Sequence, residues 1–325
     1  METIAKVMDV CVKAGMAEIR YKERAGQGKT NGVELAQANG LWAQKDYKFR
    51  KEYFDLVTQN YGAGVENLDF KGATEEARKT INAWVEKQTK DKVKELLTPG
   101  IITQLTRLVL TNAIYFKGEW ETQFEKGKTK NEAFTMADGT KADVPTMHGK
   151  LEASYGEGEG FQMLELPYKG RELSMVVYLP NKADGIAELE GKLTAGDFAA
   201  RKFGGELWRL HSREVEVALP KFKMTSEFRL DETLKAMGMK DAFGDADFSG
   251  MTGGKELSIG AVVHKAYVEV NEEGTEAAAA TAVVMEGRAA TAVPVFRADH
   301  PFLFVIRDVR TGSVLFMGRV MDPRG

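Results

Sequence analysis

Apolar positions Ile4, Val7, Met8, Cys11 and Val12 recur at helical spacing near the start of the chain and a glycine-containing loop follows at 26–32, so the pattern predicts a helix over 1–24. No capped lead-in precedes it, and the expectation is that an N-terminal part of the fold lies outside the sequence. A second amphipathic helix is predicted over 72–97. Thr74 can cap it, Glu75 and Glu76 suit its first turn, Ala77, Ile81, Trp84 and Val85 share one face, and Pro99-Gly100 stops it. From Arg107 onward strand patterns dominate, at 107–116, 173–180, 214–223, 260–271, 302–307 and 313–319, interrupted by a short helix at 229–238. Helices gathered early and strands gathered late, without regular βαβ alternation, predict an α+β fold. No internal repeat and no Pro- or Ser-rich linker divides the chain, which favours one continuous domain over 1–325.

Composition adds exclusions. With 325 residues, 43% of them hydrophobic and 29% charged, the chain can bury a sizeable core. Its 45 basic and 48 acidic residues leave a formal charge of −3, which supplies no reason to expect nucleic acid or an anionic membrane as partner. Cys11 is the single cysteine, so an intrachain disulfide, a zinc knuckle, an iron–sulfur cluster or a C-x-x-C redox pair is excluded. Charges interrupt the first 26 residues too often for an export signal or a membrane span, and localisation stays open.

Catalytic and cofactor patterns are weak. Gly26-Gln27-Gly28-Lys29-Thr30 resembles the end of a phosphate-cradling loop, but Glu23 stands where such a loop needs glycine. Gly156, Gly158 and Gly160 alternate with glutamates and predict a surface turn. No serine sits in G-x-S-x-G or opens S-x-x-K, and His148, His211, His264 and His300 never form H-E-x-x-H. The expectation is no enzyme, no metal and no cofactor. Lys45, Lys48, Arg50 and Lys51, interleaved with Asp46 and Glu52, predict a solvated helix face.

The unusual stretch is 272–288. Its alanines favour helix by propensity. With period two, however, Thr275, Ala277, Ala279, Thr281, Val283 and Met285 share one face, and Glu276, Ala278, Ala280, Ala282, Val284 and Glu286 the other. No proline interrupts it, so each backbone N–H can join a ladder. Two readings follow: an ordinary surface helix or linker, or a segment that is a loop in one state and a strand in another.

TNAIYFKGEW (111–120), LPKFKM (219–224), LDETLKAMGM (230–239), HKAYVEVNEEGTEAAAATA (264–282), FRADHPFLFVIRD (296–308) and LFMGRVMDP (315–323) occur in an order that resembles the serpin family across 36–325. The stretch from Gly274 to Arg288 is similar to the reactive loop of antithrombin-like inhibitors. The resemblance implies helices packed on a large central mixed sheet, further sheets, and an exposed reactive-centre loop at 272–294. It also implies a single-use trap: a protease cleaves the loop, the loop inserts into the central sheet, and the acylated protease is carried along and distorted.

Carried over residue by residue, the hinge comprises Glu272, Glu273, Gly274, Thr275, Glu276, Ala277, Ala278, Ala279, Ala280 and Thr281. The seventeenth residue counted from Glu272 is Arg288, which implies a reactive bond Arg288–Ala289 and a trypsin-like serine protease as covalent partner. A bond displaced toward Met285 or Ala290, with a chymotrypsin- or elastase-like target, is the alternative. Asn112 and His264 match the polar cluster governing sheet opening, and Trp120 the packed site where the loop first inserts. Serpins normally carry several tens of residues before the point where this sequence starts, so an incomplete N-terminus is expected. The expected state is a monomer at risk of loop–sheet polymers. The competing function is a truncated or non-inhibitory member, cleaved as an ordinary substrate or self-associating by strand addition.

Overall fold

The structure is a computed structural model that describes residues 32–46, 48–53, 55, 64–193, 202–203, 206–207, 211–255, 257–273 and 293–325. The helix predicted over 1–24 and the hinge and reactive-bond residues from Gly274 to Ala289 lie outside the described residues. In chain order the elements begin β1 (Val33–Gln44), β2 (Gly64–Leu68), α1 (Thr74–Gln88), β3 (Leu108–Gly118), β4 (Lys130–Thr135), β5 (Lys141–Gly158), β6 (Phe161–Pro167), β7 (Leu173–Pro180) and α2 (Ile186–Lys192). They continue with β8 (Lys202–Phe203), β9 (Glu206–Leu207), β10 (His211–Pro220), β11 (Phe222–Arg229), α3 (Asp231–Ala236), α4 (Ser249–Thr252), β12 (Ala261–Val270), β13 (Val295–Arg297), β14 (Phe302–Asp308) and β15 (Val314–Val320). The described residues fall into two compact units, one from 35–116 and 224–268, the other from 32–34, 117–223 and 269–325.

The first unit carries a five-stranded sheet in the order β11-β12-β3-β1-β2. Its central pair is parallel, running in register from Ala261 opposite Val109 to Val268 opposite Phe116. On α1, Ala77, Ile81 and Val85 sit four residues apart and share one core with Trp42, Ala113 and Val263. Trp84 meets Trp42 edge to face, with centroids 5.2 Å apart at 81°. Burying Ile81 completely contributes about 1.5–3 kcal/mol. Gly40 has a steric reason: an added Cβ would stand 2.5 Å from Trp42 Nε1 and 2.7 Å from Thr111 Oγ1. It would intrude on the bond that Trp42 Nε1 donates to Thr111 Oγ1 at 2.9 Å.

The second unit carries an eight-stranded sheet in the order β13-β10-β5-β6-β7-β14-β15, with β4 paired to β5. β10 runs antiparallel to β5 from His211 opposite Tyr155 to Pro220 opposite Thr146. Phe161, Met163, Val176, Tyr178, Leu303 and Val305 form the sheet's side of a core that α2 closes with Ile186 and Leu189. Inside this sheet Arg307 Nη2 donates to Glu165 Oε1 at 2.6 Å and Ser174 Oγ donates to the same oxygen at 2.7 Å.

Four expectations from the pattern are corrected. The helix predicted over 72–97 ends at Gln88, and Lys90, Asp91 and Glu95 take φ of 53°, 60° and 47°. Asn82 explains the return. Its Nδ2 donates to Leu97 O at 3.0 Å and its Oδ1 accepts Leu97 N–H at 2.8 Å, so Val93, Leu96 and Leu97 keep the apolar period without the helix. The strand predicted over 214–223 breaks after Pro220, and β11 begins at Phe222 in the other sheet. Gly156 and Gly158 belong to β5, opposite Met163 and Phe161, and only 159–160 turn. The Lys45–Lys51 stretch is solvated but helical only at 51–53 and 55, with Lys45 bonded to Asp69 and Asp46 to Lys71, each at 2.8 Å.

Candidate functional site

Where the chain leaves β12, three successive carbonyls are taken by the segment after β3. Asn271 O accepts Trp120 Nε1–H at 2.9 Å, Glu272 O accepts the Phe124 N–H at 2.9 Å, and Glu273 O accepts the Trp120 N–H at 3.2 Å. Trp120 is held for this role: it stacks on Tyr168 with centroids 4.6 Å apart and bridges to the same residue through its backbone. The indole thus spends its single donor on the chain at the base of the loop.

The side chain of Glu272 turns inward. Its Oε1 accepts Thr129 Oγ1–H at 2.7 Å, and its Oε2 lies 2.9 Å from Lys221 Nζ, in the break between β10 and β11. Burial works against a charged carboxylate there, but the bonds from Lys221 and Thr129 outweigh it and hold the Glu272 carboxyl below its ordinary range. Glu273 is ion-paired to Lys126, and Gln123 Nε2 donates to its carbonyl at 3.4 Å. Glu272, Glu273 and Trp120 are therefore brought together.

Asn112 and His264 also meet, within the five-stranded sheet. They are register partners on β3 and β12. His264 Nδ1 lies 2.5 Å from Asn112 Oδ1, Asn112 Nδ2 donates to Asn39 Oδ1 at 2.5 Å, and Asn39 Nδ2 donates to Gln37 Oε1 at 3.0 Å. The relay crosses three neighbouring strands. Because an amide oxygen only accepts, the ring must carry its proton on Nδ1. Burial pulls the His264 pKa down to about 4, so the ring is neutral at pH 7 and donates one way. Phe228 stacks on it at 6.2 Å.

Asn39 and Gln37 were not readable as site residues, since nothing in the sequence says that β1 lies beside β3. Thr129 carried no signal either. Lys221 lies within LPKFKM, a motif that carried the family resemblance but gave that lysine no role. Among the described residues no group of acidic, histidine or cysteine side chains could hold a metal ion, and no helix is long and apolar enough to cross a membrane.

A serpin (serine protease inhibitor) family profile matches residues 5–323. The chain belongs to the serpin family. Human Serpin B3 is 46% identical over 298 residues, covering 90% of this chain and 76% of that protein. Human leukocyte elastase inhibitor is 42% identical over 306 residues, 89% of this chain and 78% of that protein. The fold matches the solved structure of uncleaved ovalbumin with a TM-score of 0.82 at 32% identity, over 93% of this chain and 81% of that one. The α+β serpin fold expected from the motifs is thereby borne out. Members of this family inhibit proteases rather than catalyse a reaction of their own.

Proposed function

We propose that this serpin inhibits a trypsin-like serine protease by a suicide-substrate reaction at Arg288–Ala289, with 1–325 acting as one functional domain. The protease serine attacks the Arg288 carbonyl carbon and forms an ester, and the amine of Ala289 leaves as a new N-terminus. The freed segment from Gly274 then inserts between β3 and β12.

The observation that carries this reading is the parallel seam between β3 and β12. A segment that leaves β12 at its C-terminal end and folds back beside it runs antiparallel to β12, and hence to β3 as well. Insertion therefore exchanges one parallel ladder, the weaker kind, for two antiparallel ones. With about 0.5–1.5 kcal/mol net for each new bond, some ten inserted residues release roughly 10 kcal/mol, as much as the whole stability of an ordinary domain. Thr275, Ala277 and Ala279 are small and uncharged, and no proline stands among them.

Arginine at 288 selects a protease with a carboxylate at the base of its specificity pocket. The relative named leukocyte elastase inhibitor supports the alternative, cleavage after Met285 or Ala290 by a protease with an apolar or small pocket. Mixing the protein with trypsin and following it by denaturing gel and intact mass decides. A boiling-stable adduct with release of peptide 289–325 is expected. Cleavage at Arg288 without an adduct would make the chain an ordinary substrate.

A further inference from the structure

β13 carries the chain away from the reactive-loop segment, and its ladder is short. It pairs with β10 only through Val295 with Glu216, Phe296 with Val217 and Arg297 with Ala218. Flanking bonds run from Glu216 N–H to Pro294 O and from Ala298 N–H to Ala218 O, each 2.9 Å. So few bonds need support from side chains. Phe296 is fully buried, and Arg297 Nη1 donates to Glu132 Oε2 at 2.6 Å.

The next support is His300. Its Nδ1 lies 2.7 Å from Asp299 Oδ1 and its Nε2 lies 2.6 Å from the carbonyl oxygen of Pro180, at the end of β7. The side chain is only 14% exposed. A carboxylate and a peptide carbonyl both accept and neither donates. A neutral imidazole has one N–H and satisfies one of them, whereas the imidazolium satisfies both.

The charged surroundings are few. Asp299 faces the ring directly and Arg297 acts on Asp299 from its own strand. On β4, Glu132 binds Arg297, and His148 on β5 lies 3.1 Å from Glu132. β7 presents the Pro180 carbonyl. Burial opposes the charge on His300, but the bonds to Asp299 and Pro180 and the Asp299 charge outweigh it, and the ring's pKa stands above its ordinary value.

We propose that His300 is a pH-controlled latch on β13. Protonated, it ties Asp299 to Pro180 and holds the strand on β10. Deprotonated, it releases one acceptor, and the strand opens more readily. The sign follows from linkage: the latch is fully closed below about pH 6.5, the value of the ring once exposed, and its hold is lost as pH rises through the raised value. One consequence rests on the inhibitor reading above: an intact loop is tied at Glu272 and Glu273 on one side and at β13 on the other, so the latch opposes insertion without cleavage.

Hydrogen exchange of the Glu216 and Ala298 amides, read by mass spectrometry between pH 5.5 and pH 8.5 and normalised to unstructured peptides, tests the latch. Protection should fall with rising pH, by about tenfold for each unit between the closed and open pKa values. His300→Gln should flatten the profile, and Asp299→Asn should move its midpoint to lower pH. A pH-independent wild-type profile, or one that His300→Gln leaves intact, would overturn the proposal. If His300→Gln does not fold, Asp299→Asn decides alone, and an unmoved midpoint refutes the latch. The profile reads β13 directly, so it stands or falls independently of the trypsin adduct.

Discussion

Lys221 Nζ stands 2.9 Å from Glu272 Oε2, joining the break between β10 and β11 to the base of the reactive-loop segment. The carboxylate is 8% exposed and the lysine 36%, so the pair is neither a free surface bridge nor a fully desolvated one. Lys221→Met should lower stability by about 1–3 kcal/mol, because it leaves a nearly buried carboxylate with Thr129 as its remaining side-chain donor. Urea unfolding measures the loss. Glu272 titrates below its ordinary value, so the wild-type advantage should be complete above about pH 4.5 and vanish as pH falls through the folded value.

His264 should make the protein sensitive to mild acid in a different window. Its folded pKa of about 4 lies below the unfolded value of about 6.5, so the unfolded chain takes up the proton first and stability rises with pH between the two. The limit of this effect is on the order of 3 kcal/mol. Thermal midpoints of the wild type and His264→Gln from pH 4 to pH 7 should converge at the acid end. Parallel curves would remove His264 from the acid response.

Replacing Arg288 by proline should abolish adduct formation with trypsin, lowering the rate on the order of ten-thousandfold, since the pocket carboxylate loses its cationic partner. Intact mass of the reaction mixture checks this. Cleavage persisting after Met285 or Ala290 would mark one of those bonds as the reactive one.

Thr275→Arg should leave cleavage at Arg288 at its normal rate and eliminate the adduct. The substitution puts a charge where a small residue has to enter a sheet, and an unpaired buried charge costs several kcal/mol. The stoichiometry of protease inactivation is the readout. Trapping that survives the substitution would refute loop insertion.

Some of this architecture was legible because it is local. The face of Ala77, Ile81 and Val85 on α1 and the apolar run Leu173–Pro180 show their own periods, and both are buried as those periods require. Other parts were not legible. β1 contains Gln37, Asn39, Gly40 and Gln44, and no run in it announces a strand; its place comes from Trp42 and from contact with β3. The end of α1 was misplaced because Val93, Leu96 and Leu97 continue the helical period after the helix has stopped.

The sequence alone determined the family through its ordered motifs, the arginine at 288, and an alternating, proline-free segment able to become a strand. Tertiary structure alone decided which polar groups meet. Asn39, Asn112 and His264 are separated by 73 and 152 residues and touch because β1, β3 and β12 are sheet neighbours. Likewise His300 became a candidate latch only when the fold set a β7 carbonyl opposite its second nitrogen. A hydrogen bond needs two partners within about 3 Å, and one-dimensional order specifies the chemistry of each partner but not their distance.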